Sequence, residues 1–139
     1  LSHPAAGSRK SLPAEKRKEK RLLVVDDAFS TRELLKNIFE THGYAVDTAV
    51  DGLDGLDKLV SAKFDLVVSD VQMPRMDGFE FCQAIRKNDD YRQTPVVIIT
   101  AMDKEEDKRR GIEVGASAYI VKSVFDQTNL LDAIERLIG

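Results

Sequence analysis

The chain contains one cysteine, Cys82, so no internal disulfide can form. Cys82 lies in an apolar stretch with Phe79, Phe81 and Ile85, which marks it as a buried structural thiol. A reducing compartment, the cytoplasm, is the simplest setting for such a chain. The histidines are also few. His3 and His42 stand far apart, and no Cys/His cluster exists to hold zinc. No apolar run approaches the roughly 20 residues of a membrane-spanning helix. The basic N-terminus lacks the apolar core of a secretion signal. A membrane role is therefore not expected. No G-x-G-x-x-G or Walker-type loop follows a strand, which argues against a nucleotide-binding domain.

What is present fits one domain and a tail. The chain has 139 residues, 42% of them hydrophobic and 32% charged, enough apolar material for one ordinary core in a soluble protein. The net charge of −3 is unevenly spread. Residues 1–21 carry seven Lys/Arg and two Glu, a net +5, which leaves −8 for residues 22–139. The basic segment is also rich in Pro, Gly and Ser and lacks apolar periodicity. It is expected to be a flexible linker or tail, a tether to an upstream domain. Without interleaved aromatic residues it makes a weak nucleic-acid arm. The acidic remainder has no electrostatic footprint for DNA but suits a divalent cation. The chain begins at Leu1 rather than methionine, so a piece of a longer protein is expected.

From residue 22 strand-like and helix-like segments alternate. Strands are expected at Leu22–Val25, Tyr44–Val50, Phe64–Ser69, Pro95–Thr100 and Ala118–Val121. Helices are expected up to about His42, then at Leu53–Ala62, Gly78–Lys87, Lys104–Val114 and Gln127–Ile138. Such alternation implies an α/β fold, a doubly wound five-stranded parallel sheet covered by five helices. The first, third and fourth strands are apolar throughout, as central strands are, whereas Asp47 and Thr48 suit the second to an edge. Ser30 with Glu33 has the spacing of a capping box, and Asp103 with Glu106 resembles one. Gly43 and Gly115 stand where helices should stop. Leu34, Leu35, Ile38 and Phe39 form one apolar stripe; Leu130, Leu131, Ile134, Leu137 and Ile138 form another. Both are expected to pack in the core. Asp51-Gly-Leu-Asp-Gly superficially suggests a calcium loop, but the later ligands are missing and a helix start is the better reading.

Ligands of an open parallel sheet bind outside the carboxyl ends of its strands. There the sequence places Asp26 and Asp27 after strand one, Asp70 after strand three, Thr100 at the end of strand four and Lys122 after strand five. Each has an ordinary explanation alone, as a turn residue, a cap, a strand terminus or a solvated charge. Together they are three carboxylates, a hydroxyl and an ammonium from four strands. Three acids in one place raise one another's pKa and call for a cation between them. With oxygen donors only, that cation is expected to be Mg2+, taken by Asp26, Asp27, Asp70 and the backbone carbonyl of Gln72. A carboxylate can also be a covalent nucleophile in phosphoryl transfer, where positioning and charge neutralisation do most of the catalysis. Asp70, on a central strand, is the best candidate for phosphoacceptor. Magnesium, Lys122 and Thr100 would each face one outer phosphoryl oxygen.

Four segments then carry a resemblance. Leu22-Leu23-Val24-Val25-Asp26-Asp27, Asp70-Val71-Gln72-Met73-Pro74-Arg75-Met76-Asp77-Gly78, Thr100-Ala101, and Gly115 through Lys122 resemble the receiver domains of two-component response regulators (CheY-like) over about residues 21–139. The resemblance implies a flavodoxin-like sheet of order 2-1-3-4-5. It implies a phosphohistidine of a histidine kinase as donor and a downstream signalling partner. It further implies a switch in which Thr100 moves toward the phosphate, Tyr119 turns inward, and the face of helix four, strand five and helix five changes. Such a domain has only its own phosphorylation and dephosphorylation chemistry. Tyr119 read on its own is equally a half-buried strand aromatic. The family usually has proline after the lysine, whereas Ser123 stands here, so the loop of residues 123–127 is expected to differ in shape. Gln72 and Met102 flank the site and should affect acyl-phosphate lifetime. The ending from Tyr119 to Leu131 is similar to receivers at the C-terminus of chemotaxis-type hybrid histidine kinases. Two other classes fit less well. An aspartate-nucleophile phosphohydrolase usually shows D-x-D after its first strand, and a docking module without phosphorylation has no need of the acid set.

Overall fold

The computed structural model describes residues 20–124 and 126–139, with Val124 described by its backbone alone. In it strands and helices alternate in the order β1 (Arg21–Val25), α1 (Phe29–Thr41), β2 (Ala45–Ala49), α2 (Gly52–Ser61), β3 (Leu66–Ser69), α3 (Gly78–Lys87), β4 (Val96–Thr100), α4 (Glu105–Glu113), β5 (Ala118–Val121) and α5 (Gln127–Ile138). A 3-10 turn at Lys122–Val124 follows β5. All strand pairs are parallel, and the order across the sheet is β2-β1-β3-β4-β5. This is the doubly wound, flavodoxin-like arrangement. The expected basic tail at residues 1–21 lies almost wholly outside the described residues, as does Phe125 in the loop after Lys122.

Alternate residues of the central strands point to opposite faces, so each face has its own core. Leu22, Val24, Leu66, Val68, Val97 and Ile99 meet Leu35, Ile38 and Phe39 of α1 and Leu130 and Ile134 of α5. Leu23, Val25, Val67, Val96 and Ile98 meet Leu59 of α2 and Phe79, Phe81, Cys82 and Ile85 of α3. Full burial of such side chains stabilises the fold by about 1.5–3 kcal/mol each relative to exposure. β1, β3 and β4 are covered on both faces and are apolar along their length, with polar residues only at their ends (Arg21, Ser69, Thr100); β2, with half-buried Asp47 and Thr48, forms an edge.

Several local expectations need correction. Ser30 does not cap α1: the N-cap is Ala28, without a side-chain cap, and Ser30 lies inside the first turn. The entry is instead tied by Asp26, whose Oδ1 accepts from the Ala28 N–H at 2.9 Å, while Arg32 donates to the Asp26 carbonyl at 2.8 Å. Asp103 does not cap α4; that helix starts after Lys104, again without a side-chain cap. Its first turn holds Glu105, Glu106 and Asp107, charges that favour a helix N-terminus. The capping box falls at Asp77 and Glu80 on α3. Leu34 is not core: it is 53% exposed, on the flank of its stripe beside a shallow hollow shared with Thr31, Leu35, Ile99 and Lys122. The glycine stops are where they were expected, at φ 94° for Gly43 and 97° for Gly115, a backbone region that other residues rarely occupy. Asp51 is indeed a helix start, the N-cap of α2. Cys82 is buried, its Sγ 3.4 Å from the Val114 carbonyl oxygen, and burial pushes its thiol pKa up.

Candidate functional site

The sheet brings the strand ends together in register. Val25 pairs with Ser69, Ser69 with Ile98, and Thr100 with Val121. The ladder runs one residue further at the centre: the Asp70 N–H donates to the Val25 carbonyl at 3.0 Å and the Asp26 N–H to that of Ala49 at 3.2 Å. The acids therefore leave the sheet side by side, as the hydrogen bonding of β1, β2 and β3 comes to an end.

Asp26, Asp27 and Asp70 each present a carboxylate oxygen within 4.8 Å of the others. Asp26 and Asp70 are buried and Asp27 is exposed, so the cluster opens to solvent on one side. Lys122 reaches over from the end of β5. Its Nζ donates to Asp70 Oδ2 at 3.0 Å and lies 3.5 Å from Asp26 Oδ2. The other Asp70 oxygen accepts from the Val71 N–H at 2.6 Å. Thr100 is buried at the end of β4, where its hydroxyl oxygen accepts from the Met102 N–H at 3.3 Å. Tyr119, half-buried on β5, donates its hydroxyl to the Met102 carbonyl at 2.9 Å. Its ring lies against Gly111, where an added Cβ would come within 2.7 Å of ring carbon Cδ2. Gln72 is exposed, two residues beyond Asp70.

The electrostatics mark one lysine among three acids. Burial drives the Asp26 pKa up; the Ala28 N–H and Lys122 offset part of this, and the charges of Asp70 and Asp27 add to it. For Lys122 burial is the largest single influence and acts downward. The hydrogen bond and charge of Asp70, followed by Asp26, outweigh it and leave the ammonium more firmly protonated. Tyr119 is pushed up to about 12 by burial and then by Asp107, Asp70 and Asp103, so its hydroxyl stays a donor at neutral pH. The donor set is all oxygen and carries more negative charge than one ammonium neutralises. It fits a hard cation such as magnesium.

All five residues expected at the strand ends occupy that edge. The sequence reading missed the polar supports around them. Arg32 holds the carbonyl of Asp26. Arg86 donates to the carbonyls of Gly115, Arg92 and Thr94, bracing the entry to β5. Arg75 forks onto Asp51. Each joins residues far apart in sequence or binds a backbone oxygen, and no spacing rule flags such pairs. Only the isolated arginine in an otherwise uncharged run from Val71 to Met76 hinted at the last.

A doubly wound sheet with an acid cluster and a lysine at its carboxyl edge has its polar site where such sheets take their ligands, as phosphoacceptor signalling domains do. The chain belongs to the response regulator receiver domain family, whose pattern it matches over residues 22–135. It is 38% identical to response regulator ArlR of Staphylococcus aureus over 117 residues, which is 84% of this chain and 52% of that protein. It is 37% identical over 125 residues to a gliding motility regulatory protein of Myxococcus xanthus, covering 90% of this chain and 16% of that one. The chain thus spans about half of the first relative's length and about a sixth of the second's. Its fold superimposes on chemotaxis protein CheY4 of Vibrio cholerae with a TM-score of 0.79 and 39% identity, over 85% of this chain and 98% of that structure. It is a receiver domain of two-component systems, a phosphoacceptor, and family members bind Mg2+ at such an acidic pocket. Among the described residues no helix is long and apolar enough to cross a membrane.

Proposed function

We propose that Asp70 is the phosphoacceptor, that Asp26, Asp27, Asp70 and the Gln72 carbonyl hold Mg2+, and that Lys122 and Thr100 are the other catalytic residues. The observation that carries this reading is the meeting of three carboxylates within 4.8 Å, with Lys122 Nζ 3.0 Å from Asp70. The donor is a phosphohistidine of a histidine kinase, in the same protein or another, in the cytoplasm. An Asp70 carboxylate oxygen attacks phosphorus, the P–N bond breaks, and the histidine leaves as a neutral imidazole after taking up a proton. Lys122, now bonded to Asp70, shifts to an oxygen of the incoming group, and the Thr100 hydroxyl gives up the Met102 N–H to donate to another. Magnesium held by Asp26, Asp27, Asp70 and the Gln72 carbonyl would supply charge neutralisation for the incoming phosphoryl group.

The consequence follows from the Met102 backbone. Its N–H and carbonyl engage Thr100 and Tyr119 respectively, so movement of Thr100 is felt by Tyr119. The face formed by α4, β5 and α5 then shifts between two populations and alters contact with a downstream protein. Residues 1–21 serve as the tether of the receiver at residues 22–139. Intact-mass measurement after incubation with acetyl phosphate and magnesium tests the assignment. One added phosphoryl group is expected in the native protein and none in Asp70→Asn; equal gain in the variant would remove Asp70 as acceptor.

A further inference from the structure

The Asp51–Arg75 pair lies outside the acid cluster, and the phosphoryl chemistry does not use it. Arg75 Nε donates to Asp51 Oδ2 at 2.6 Å and a terminal guanidinium nitrogen to Oδ1 at 3.0 Å. The carboxylate is 3% exposed and the arginine side chain 57% exposed, so the fork closes over a buried acid from outside. Arg75 stands at φ 66°, the only non-glycine residue at positive φ among those described. Holding a non-glycine residue there is unfavourable, because its Cβ crowds the backbone. A residue needed only to turn the chain would be glycine or asparagine. Arginine at this position points to a task for its guanidinium.

The neighbouring contacts indicate that task. The Gly52 N–H donates to the Met76 carbonyl at 3.3 Å. The Met76 side chain fills the space over Gly52, where an added Cβ would lie 2.7 Å from its Cγ. Residues 51–52 thus grip residues 75–76 by charge, hydrogen bond and packing. The base of the loop is closed separately, by the Gly78 N–H on the Val71 carbonyl at 2.8 Å and by the Asp77–Glu80 capping box. Between these two anchorages only Gln72, Met73 and Pro74 bridge from Val71 to the clamp.

We propose that Asp51 and Arg75 are positioning residues: they clamp the loop after Asp70 and thereby aim the Gln72 carbonyl at the divalent cation. The inference rests on the proposed cation site. Two-point anchorage leaves few free dihedrals at Gln72, so its carbonyl is set before the ion arrives. Releasing the far anchor restores that freedom, and binding must then pay the ordering entropy.

The test is calorimetric titration with magnesium, alongside amide hydrogen exchange at Gly52 in metal-free protein and thermal unfolding. Arg75→Ala and Asp51→Asn should each weaken magnesium binding by about tenfold, the lower end of what loss of an outer supporting group costs. Asparagine still caps α2, so Asp51→Asn keeps the helix start while losing the charged fork. Gly52 exchange should quicken in both. Arg75→Lys, which keeps the charge but not the fork, should fall between native and Arg75→Ala. A merely structural pair would lower the unfolding temperature and leave the magnesium affinity unchanged. Affinity within twofold of native in both variants overturns the clamp. A native protein that takes up no magnesium overturns the cation site itself, and the clamp's purpose with it.

Discussion

Asp26 and Asp51 are equally buried, each 2% exposed, yet their acidities move in opposite directions. Both lie just beyond a strand and just before a helix. Arg75 holds Asp51 below the usual carboxylate range, chiefly through its hydrogen bonds, while burial acts in the opposite sense. For Asp26 burial prevails: one lysine is shared with Asp70, and Asp27 adds a like charge. The difference is one of accounting. Asp51 has a forked guanidinium to itself and a cap hydrogen bond from the Asp54 N–H at 2.9 Å. At the acid cluster one ammonium serves Asp26 and Asp70, and Asp27 adds a third carboxylate beside them. A matched buried acid is spent on its partner and fixes the backbone on either side. An unmatched set is tolerated for what it can bind, and its residual charge is the means of binding.

The comparison can be broken by mutation, because the two acids should respond with opposite sign. Asp51→Ala removes both a helix cap and an ion pair and should cost about 2 kcal/mol in urea unfolding of the metal-free protein. Asp26→Asn keeps an oxygen for the Ala28 N–H but relieves the like-charge crowding. It should leave the metal-free protein unchanged or more stable by up to about 1 kcal/mol. Equal losses in both variants would show that the crowding at the cluster carries no energetic cost.

A smaller effect should appear in the acid limb of stability. Asp51 has a depressed folded pKa, so its contribution is complete above the unfolded aspartate value of about 3.9 and is lost as pH falls below it. Asp26 works the other way. Its folded pKa is raised, so the penalty of its charge is present above that pKa and is relieved as pH falls through it. Arg75→Ala should therefore flatten the decline of stability on acidification, as read from urea midpoints across the acid range. An undiminished slope would mean that the arginine does not set the Asp51 pKa.

Much of this was legible in the sequence. Gly78–Lys87, Ala118–Val121 and Gln127–Ile138 begin and end where the apolar periodicity and turn residues placed them. The five strand-end residues share one edge because a parallel alternation of strands and helices brings all carboxyl ends to one side. What escaped depends on three-dimensional competition. Ser30 has the right spacing for a cap, but the helix starts earlier, at Phe29, where the Asp26 carboxylate holds the Ala28 N–H. Leu34 fits the stripe by count, yet it lies on the flank of the stripe and is half exposed beside the hollow it shares with Ile99 and Lys122. Asp51 was legible as a helix start but not as the partner of Arg75, 24 residues away.

We propose that the unmatched carboxylates at the strand ends exist to hold a divalent cation. Calorimetric titration of native protein and Asp27→Ala with magnesium tests it most directly. Asp27 is exposed, so its removal leaves the packed interior untouched. One magnesium per native chain is expected, with a sharp loss of affinity in Asp27→Ala. Binding of equal strength in both proteins would contradict it.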